Sequence, residues 1–195
     1  MVSGFDYGVE LIGQTGTFDS TERGKGNIRA RSIGASVGYT LQTLRFKPRF
    51  SFDFGVTTGD RDPNNPDLQH FNSLFPNGSF FGQIQQNGPD NIRALQPNLT
   101  LKFTGKVSAV FSTYFFWRDS LNDGLYNIPG NLIRTGQQSR ARYVGTQPDF
   151  ELTWQTTPHL TIDVFAAYFF TGRFLRETPP GKNADIIGAR FSYKF

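Results

Sequence analysis

Along most of this chain apolar and polar residues alternate one by one, the period of an extended strand. The run Asp185–Phe195 is the cleanest case: Ile187, Ala189, Phe191, Tyr193 and Phe195 share one side, and Ile186, Gly188, Arg190, Ser192 and Lys194 share the other. Seven more stretches follow the same rule, at 4–14, 32–41, 46–57, 95–103, 106–118, 149–156 and 160–171. In the third, Phe50, Phe52, Phe54 and Val56 oppose Arg49, Ser51 and Asp53; in the seventh, Leu160, Ile162, Val164, Ala166, Tyr168 and Phe170 oppose Thr161 and Asp163. The predicted fold class is all-β, with eight antiparallel strands in a single domain spanning 1–195.

The two sides differ in a way that sets their surroundings. One carries Phe at many positions, while the other carries Gly, Ser, Thr and scattered charges. A small soluble barrel, such as a lipocalin, or a β-sandwich has to fill its interior with bulky side chains, which places the apolar side inward. A transmembrane barrel reverses this, with apolar residues toward lipid and polar ones toward a wet lumen. The connections favour the second arrangement. Residues 42–45, the neighbourhood of Gly105, and 157–159 make tight turns, whereas 15–31, 58–94, 119–148 and 172–184 are long and rich in Gly, Pro, Asn, Asp and Arg. Short turns on the periplasmic side and long loops outside are the asymmetry of outer-membrane barrels. With the strand directions so assigned, Tyr39, Phe103, Trp154, Tyr193 and Phe195 fall at an inner aromatic girdle, and Phe115, Trp117, Tyr168 and Phe170 at an outer one.

Composition narrows the classes. Only 37% of residues are hydrophobic, yet there are 21 Phe, 7 Tyr and 2 Trp. Mean hydropathy is −0.41, and no apolar run is long enough for a transmembrane helix. Cysteine is absent, which removes disulfides and thiolate metal sites. A net charge of +4 suits an anionic partner, but Lys and Arg form no run or helical stripe of the kind that grips nucleic acid. Met1 is followed at once by alternating residues, with no basic, apolar and cleavage regions of an export signal, so the chain is expected to lack its natural N-terminus.

Two loop words carry a family likeness. Phe71-Asn-Ser-Leu-Phe-Pro76 and Phe115-Phe-Trp-Arg-Asp-Ser-Leu-Asn-Asp-Gly-Leu-Tyr-Asn127, supported by Gly38-Tyr39-Thr40, Thr157-Pro158-His159-Leu160 and Phe169-Phe-Thr-Gly-Arg-Phe-Leu175, resemble the alginate export family of outer-membrane porins. The resemblance implies a monomeric barrel of about eighteen strands whose basic lumen passes an anionic uronate polymer, with this chain covering the C-terminal part of the domain. It also implies that the chain forms either a partial sheet or a smaller closed barrel. The implied localisation is the bacterial outer membrane.

Strand parity proposes the functional residues. Lys47, Arg49, Lys102, Lys106, Arg118 and Arg190 fall on the lumen side, together with Asp6, Glu10, Asp53, Asp149, Glu151 and Asp163. They read either as a selectivity lining for a carboxylated solute or as a ladder of salt bridges that stiffens the wall. Arg118 and Arg190 are the preferred solute contacts. Arg29, Arg31, Arg140 and Arg142 fall on the lipid side of neighbouring strands, with Gly145 and Pro148 able to reset the phase of the last two. They are expected at the outer rim, facing lipopolysaccharide phosphates or a polymer at the mouth. Tyr114, Phe116, Phe165 and Phe169 on the lumen side suit either sugar stacking or support of a folded-in loop.

Catalytic and metal chemistry find little purchase. Asp60–Asp67 has the early spacing of a calcium loop but lacks its Gly and its closing Glu, so it reads as a solvated turn. His70 and His159 are expected on opposite sides of the membrane, which leaves no Ser-His-acid set. The expectation is a passive channel for an anionic polysaccharide or small anionic solutes, without cofactor, metal or enzymatic step. The alternative is a structural or adhesive barrel whose long loops bind a surface partner. The expected partners are outer-membrane lipid and lipopolysaccharide, the anionic solute, and the barrel-assembly machinery that reads the C-terminal strand.

Overall fold

In chain order the strands are β1 (Phe5–Ser20), β2 (Gly24–Thr40), β3 (Arg49–Thr57), β4 (Ile92–Lys102), β5 (Val107–Arg118), β6 (Leu125–Tyr126), β7 (Leu132–Arg134), β8 (Tyr143–Gln155), β9 (Leu160–Thr171) and β10 (Ala184–Tyr193). A computed structural model describes residues 4–21, 24–62, 64–74 and 78–195. Eight strands form one sheet in the order β1-β2-β3-β4-β5-β8-β9-β10, and β6 and β7 pair separately as a small hairpin. All neighbours in the large sheet are antiparallel. β1 and β10 are its two edges and do not pair with each other, so the sheet is an open wall and not a closed barrel.

The apolar side of this wall is not a core. Tyr7 is 76% exposed, Phe52 54%, Trp154 51% and Phe191 69%, all on one face. Residues of the opposite parity are covered instead: Ser51, Ser112, Gln147 and Asp163 are buried. A soluble sandwich or lipocalin would show the reverse pattern. Burying these rings in water-free surroundings is worth on the order of 1.5–3 kcal/mol per side chain, which a bilayer supplies and water does not.

The short connections 41–48, 103–106 and 156–159 lie at one end of the sheet, and the long segments lie at the other. One expectation fails there. Residues 15–20 and 24–31 are not loop but a continuation of the β1–β2 ladder, paired as Thr15↔Arg29 and Thr17↔Asn27 up to Ser20↔Gly24. Alternation with Gly, Thr and Arg carries no apolar signal, yet it satisfies every ladder hydrogen bond equally well. At 16 and 17 residues these strands exceed the roughly 9–11 needed to cross a bilayer, so the hairpin stands well past the apolar band.

The other long segments fold back onto the polar face. A 3-10 turn at Gly78–Phe81, the β6–β7 hairpin and the short helix α1 (Arg173–Glu177) bring Phe81, Leu125, Phe174 and Leu175 against Ile92, Tyr114, Phe116, Val144 and Phe169. This cluster is the hydrophobic core of the described residues, and it sits over β4, β5, β8 and β9 at the long-loop end.

Candidate functional site

The polar face is built by strand register. Arg49 on β3 reaches across β2 to Asp6 on β1, with Nε–Oδ2 at 3.1 Å and a second bond from Nη2 to Oδ1. The residue between them is Gly38, where a Cβ would lie 2.3 Å from Nη2 of Arg49 and 2.9 Å from Oδ1 of Asp6. The bare backbone is what lets the pair form. Asp53 accepts from Asn98 Nδ2 at 2.6 Å, and Thr153 donates to Asp163 at 2.8 Å. Asp149 accepts from the backbone of Gln83 and from Gln147, both at 2.8 Å, while the Gln83 side chain donates to Glu151 at 2.5 Å. These carboxylates are therefore engaged by amides and hydroxyls of the wall and of the folded-in loop. Arg190 stands exposed on β10 in register with Asp163, its guanidinium 5.6 Å from the centroid of the Phe165 ring. Gly188 leaves the room for that ring, since a Cβ there would meet it at 2.5 Å.

The six expected lining residues do not form one lining. Arg49 and Arg190 lie on the wall itself. Lys102 ends β4, while Lys47 and Lys106 sit in the short turns rather than in strands; all three are exposed at that end, and none makes an ion pair among the described residues. Arg118 is a correction. Its side chain is fully buried, donating to the carbonyls of Ala141 at 2.7 and 3.1 Å, Ser139 at 2.8 Å and Asp123 at 3.0 Å, with longer contacts to Gly136 and Leu121. It lies 3.9 Å over the Phe174 ring and holds the 119–142 segment in place; no side of it is open to a solute. Tyr114, Phe116 and Phe169 are buried in the core cluster, so they support the folded-in loop, and only Phe165 remains half-exposed on the wall.

Arg29 and Arg31 lie on the face that strand parity gives them, whereas Arg140 and Arg142 precede β8 beyond a register shift, where the Arg142 carbonyl accepts from the Arg118 amide; Arg93 and Arg61 lie near these four. Ile33, Val56, Arg93, Trp117 and Tyr143 are consecutive partners across β2, β3, β4, β5 and β8, one lateral row on the apolar face. Arg31 is the next residue up on that face of β2, and Arg29 the one after. A register shift between Phe116 and Trp117 leaves Val144 as the extra residue of β8, the phase change anticipated near Gly145. Two recesses follow the row. One, of about 300 Å³, is lined by Arg29, Arg31, Thr58, Arg61 and Gln69. The other, of about 310 Å³, is lined by Arg61, Arg93, Arg140 and Arg142 with Asp119, Ser120, Leu121 and Asn122. Arg93 and Arg61 escape a reading by strand pattern, because Arg93 interrupts an apolar series and Arg61 belongs to no strand.

The long-loop end also holds a charged clasp. His70 Nδ1 is 3.1 Å from Asp123 Oδ2, and Nε2 is 3.5 Å from Asp90 Oδ2. Asp123 further accepts from the Tyr126 hydroxyl at 2.6 Å and from the Asp60 backbone at 2.7 Å. Burial alone would lower the imidazole pKa, but the two carboxylates outweigh it and raise it to about 9. Burial in turn would raise Asp123, and its bonds to His70, Tyr126 and the Asp60 amide hold it below the usual carboxylate range instead. His159 is at the far end, its Nδ1 3.0 Å from the Lys194 carbonyl, so the two histidines are separated as expected. In the 60–67 segment Asp62 and Asn65 cap their own turn, and Asp67 accepts from Asn27; Pro63 lies outside the described residues, as do Phe75 and Pro76 of the 71–76 word. No group of three or more His, Cys, Asp or Glu among the described residues is placed to hold a metal.

Among known proteins, the family described as Alginate export matches residues 1–189 of the chain. No curated protein matches it.

Proposed function

The chain belongs to the alginate export family, and on that premise we propose that it forms part of the wall of an outer-membrane β-barrel channel for passive passage of an anionic polysaccharide or a small anionic solute. The observation that carries this reading is the inversion of the sheet. The rings of Tyr7, Phe52, Trp154 and Phe191 are exposed on one face, while the other carries Ser51, Ser112, Gln147, Asp149 and Asp163 and, at the long-loop end, the apolar cluster covered by the folded-in segments. A wall of this kind is at rest only between acyl chains and water.

The exposed cations of the wall support an anionic solute. Asp6 is neutralised by Arg49, while Asp53, Asp149, Glu151 and Asp163 are held by neutral amides and hydroxyls of the wall or the loop folded on it and keep their charge. Arg190, Lys47, Lys102 and Lys106 make no ion pair among the described residues, so their charge is directed into the water beside the wall. A uronate ring fits the pairing at Arg190, with its carboxylate on the guanidinium and its apolar ring face on Phe165. No residue of the wall needs to change covalently; selectivity of this kind is electrostatic and local.

The test is ion selectivity of the protein in planar bilayers. Replacing Arg49 and Arg190 together by Glu is expected to shift the reversal potential toward cations under a salt gradient. A reversal potential that stays put removes both residues from the lining. A protein that inserts but passes no current favours the alternative, a structural or adhesive barrel, and the loops packed over the polar face are what recommend that second reading.

A further inference from the structure

We infer that the arginine arc at the long-loop end, Arg29, Arg31, Arg61, Arg93, Arg140 and Arg142, is a binding site for the phosphorylated sugar headgroup of an outer-leaflet glycolipid. The inference rests on the outer-membrane reading above.

The first support is direction. Arg93 occupies the same lateral row as Ile33, Val56, Trp117 and Tyr143 on the apolar face, and Arg31 and Arg29 continue that face upward. Successive residues on one face are about 7 Å apart along a strand, so these guanidinium groups begin at the aromatic belt and rise one and two steps beyond it. That is the level of lipid headgroups, and it looks away from the lumen. A solute crossing on the polar face does not meet Arg29, Arg31 or Arg93.

The second support is charge. Six arginines line the two recesses, and Asp119 is the only carboxylate lining either one. Asp119 is taken by Arg93, at 2.7 Å to Nη2 and 2.8 Å to Nε. Arg142 donates to the carbonyls of Arg118 and Asp119, and Arg140 to the Asn122 side chain at 3.0 Å, which holds both heads in place without neutralising them. Planar guanidinium groups presented in numbers suit phosphate oxygens, which accept two N–H groups from one Arg. The third support is shape. Arg61 lines both recesses, so the two hollows of about 300 and 310 Å³ are adjacent, as two phosphates on one headgroup require.

The probe is bis-phosphorylated lipid A, supplied in nanodiscs to the purified protein, with the dephosphorylated lipid, inorganic phosphate and a uronate oligomer as parallel arms. Lipid retained after washing is counted by native mass spectrometry. The wild type is expected to retain the phosphorylated lipid at least about tenfold better than the dephosphorylated one, the factor associated with a single lost charge-assisted contact. Arg61→Glu with Arg93→Glu is expected to abolish that preference. Arg176→Glu with Lys182→Glu, the same charge change on exposed residues that line neither recess, is expected to keep it. Equal retention of the two lipids by the wild type overturns the inference without needing any variant. Saturation by inorganic phosphate with no lipid retained, or by the uronate oligomer instead, overturns it as well. A protein that does not enter bilayers at all fails the channel reading and takes the inference with it, whereas insertion without phosphate preference defeats the inference alone.

Discussion

Arg118 lies over the ring of Phe174, its Cζ 3.9 Å from the ring centre, with a fan of loop carbonyls taking its N–H groups. One comes from the end of a wall strand and the other from the helix α1, so the contact ties the folded-in loops to the sheet. Replacing Arg118 with Lys keeps the charge but removes the planar fork, and Arg118→Met removes both. The expected loss is about 3 kcal/mol for Arg118→Met, since the surrounding carbonyls are left buried and unmet. Faster cleavage of the 119–142 segment by added protease checks it; unchanged cleavage would return Arg118 to the list of free lumen charges.

The Asp6–Arg49 pair predicts a gain rather than a loss. Asp6→Asn releases Arg49 toward the water on the polar face, and reversal potentials in planar bilayers are expected to move toward anions. Gly38→Ala should do the same by wedging the pair apart, because its Cβ would land 2.3 Å from the guanidinium. If only Asp6→Asn acts, the contact tolerates the extra methyl and the steric argument is wrong.

The His70 clasp makes loop order depend on pH. Its imidazole holds the proton up to about pH 9 in the folded loops, against 6.5 ordinarily. The stabilisation is therefore complete below about pH 6.5 and is lost as pH rises through 9. Asp123 is held below its ordinary 3.8, so the opposite limit is reached only in strong acid. Spin labels on residues 64 and 122 are expected to separate between pH 7 and pH 10, with no change over that range in His70→Gln. A pH-independent distance in the unmodified protein would dismiss the clasp.

The orientation of the sheet is testable by a pair of substitutions. Phe52→Lys places a cation on the apolar face and is expected to cost about 2–4 kcal/mol in lipid vesicles. Gln96→Lys places it on the polar face opposite Asp53 and should cost less than about 1 kcal/mol. Urea unfolding in liposomes reads both, and equal costs would mean that neither face meets lipid.

Strand number, strand order between neighbours and the face of nearly every wall residue are legible in the chain itself. β9 begins and ends where alternation says, at 160 and 171. This works because side-chain direction in a strand is a local property, repeating every two residues whatever the rest of the molecule does. The same logic placed Arg29 and Arg31 on the apolar face and Arg49 and Arg190 on the opposite one. Alternation has nothing to say about segments whose conformation is decided by contacts from elsewhere. The reach of β1 and β2 past residue 14 depends on each having the other beside it. The burial of Arg118 depends on a loop returning over the sheet, and the joining of Arg61 to Arg93 on a turn thirty residues away in sequence. Local periodicity decided which way each side chain points; only the packing of distant segments decided what it points at.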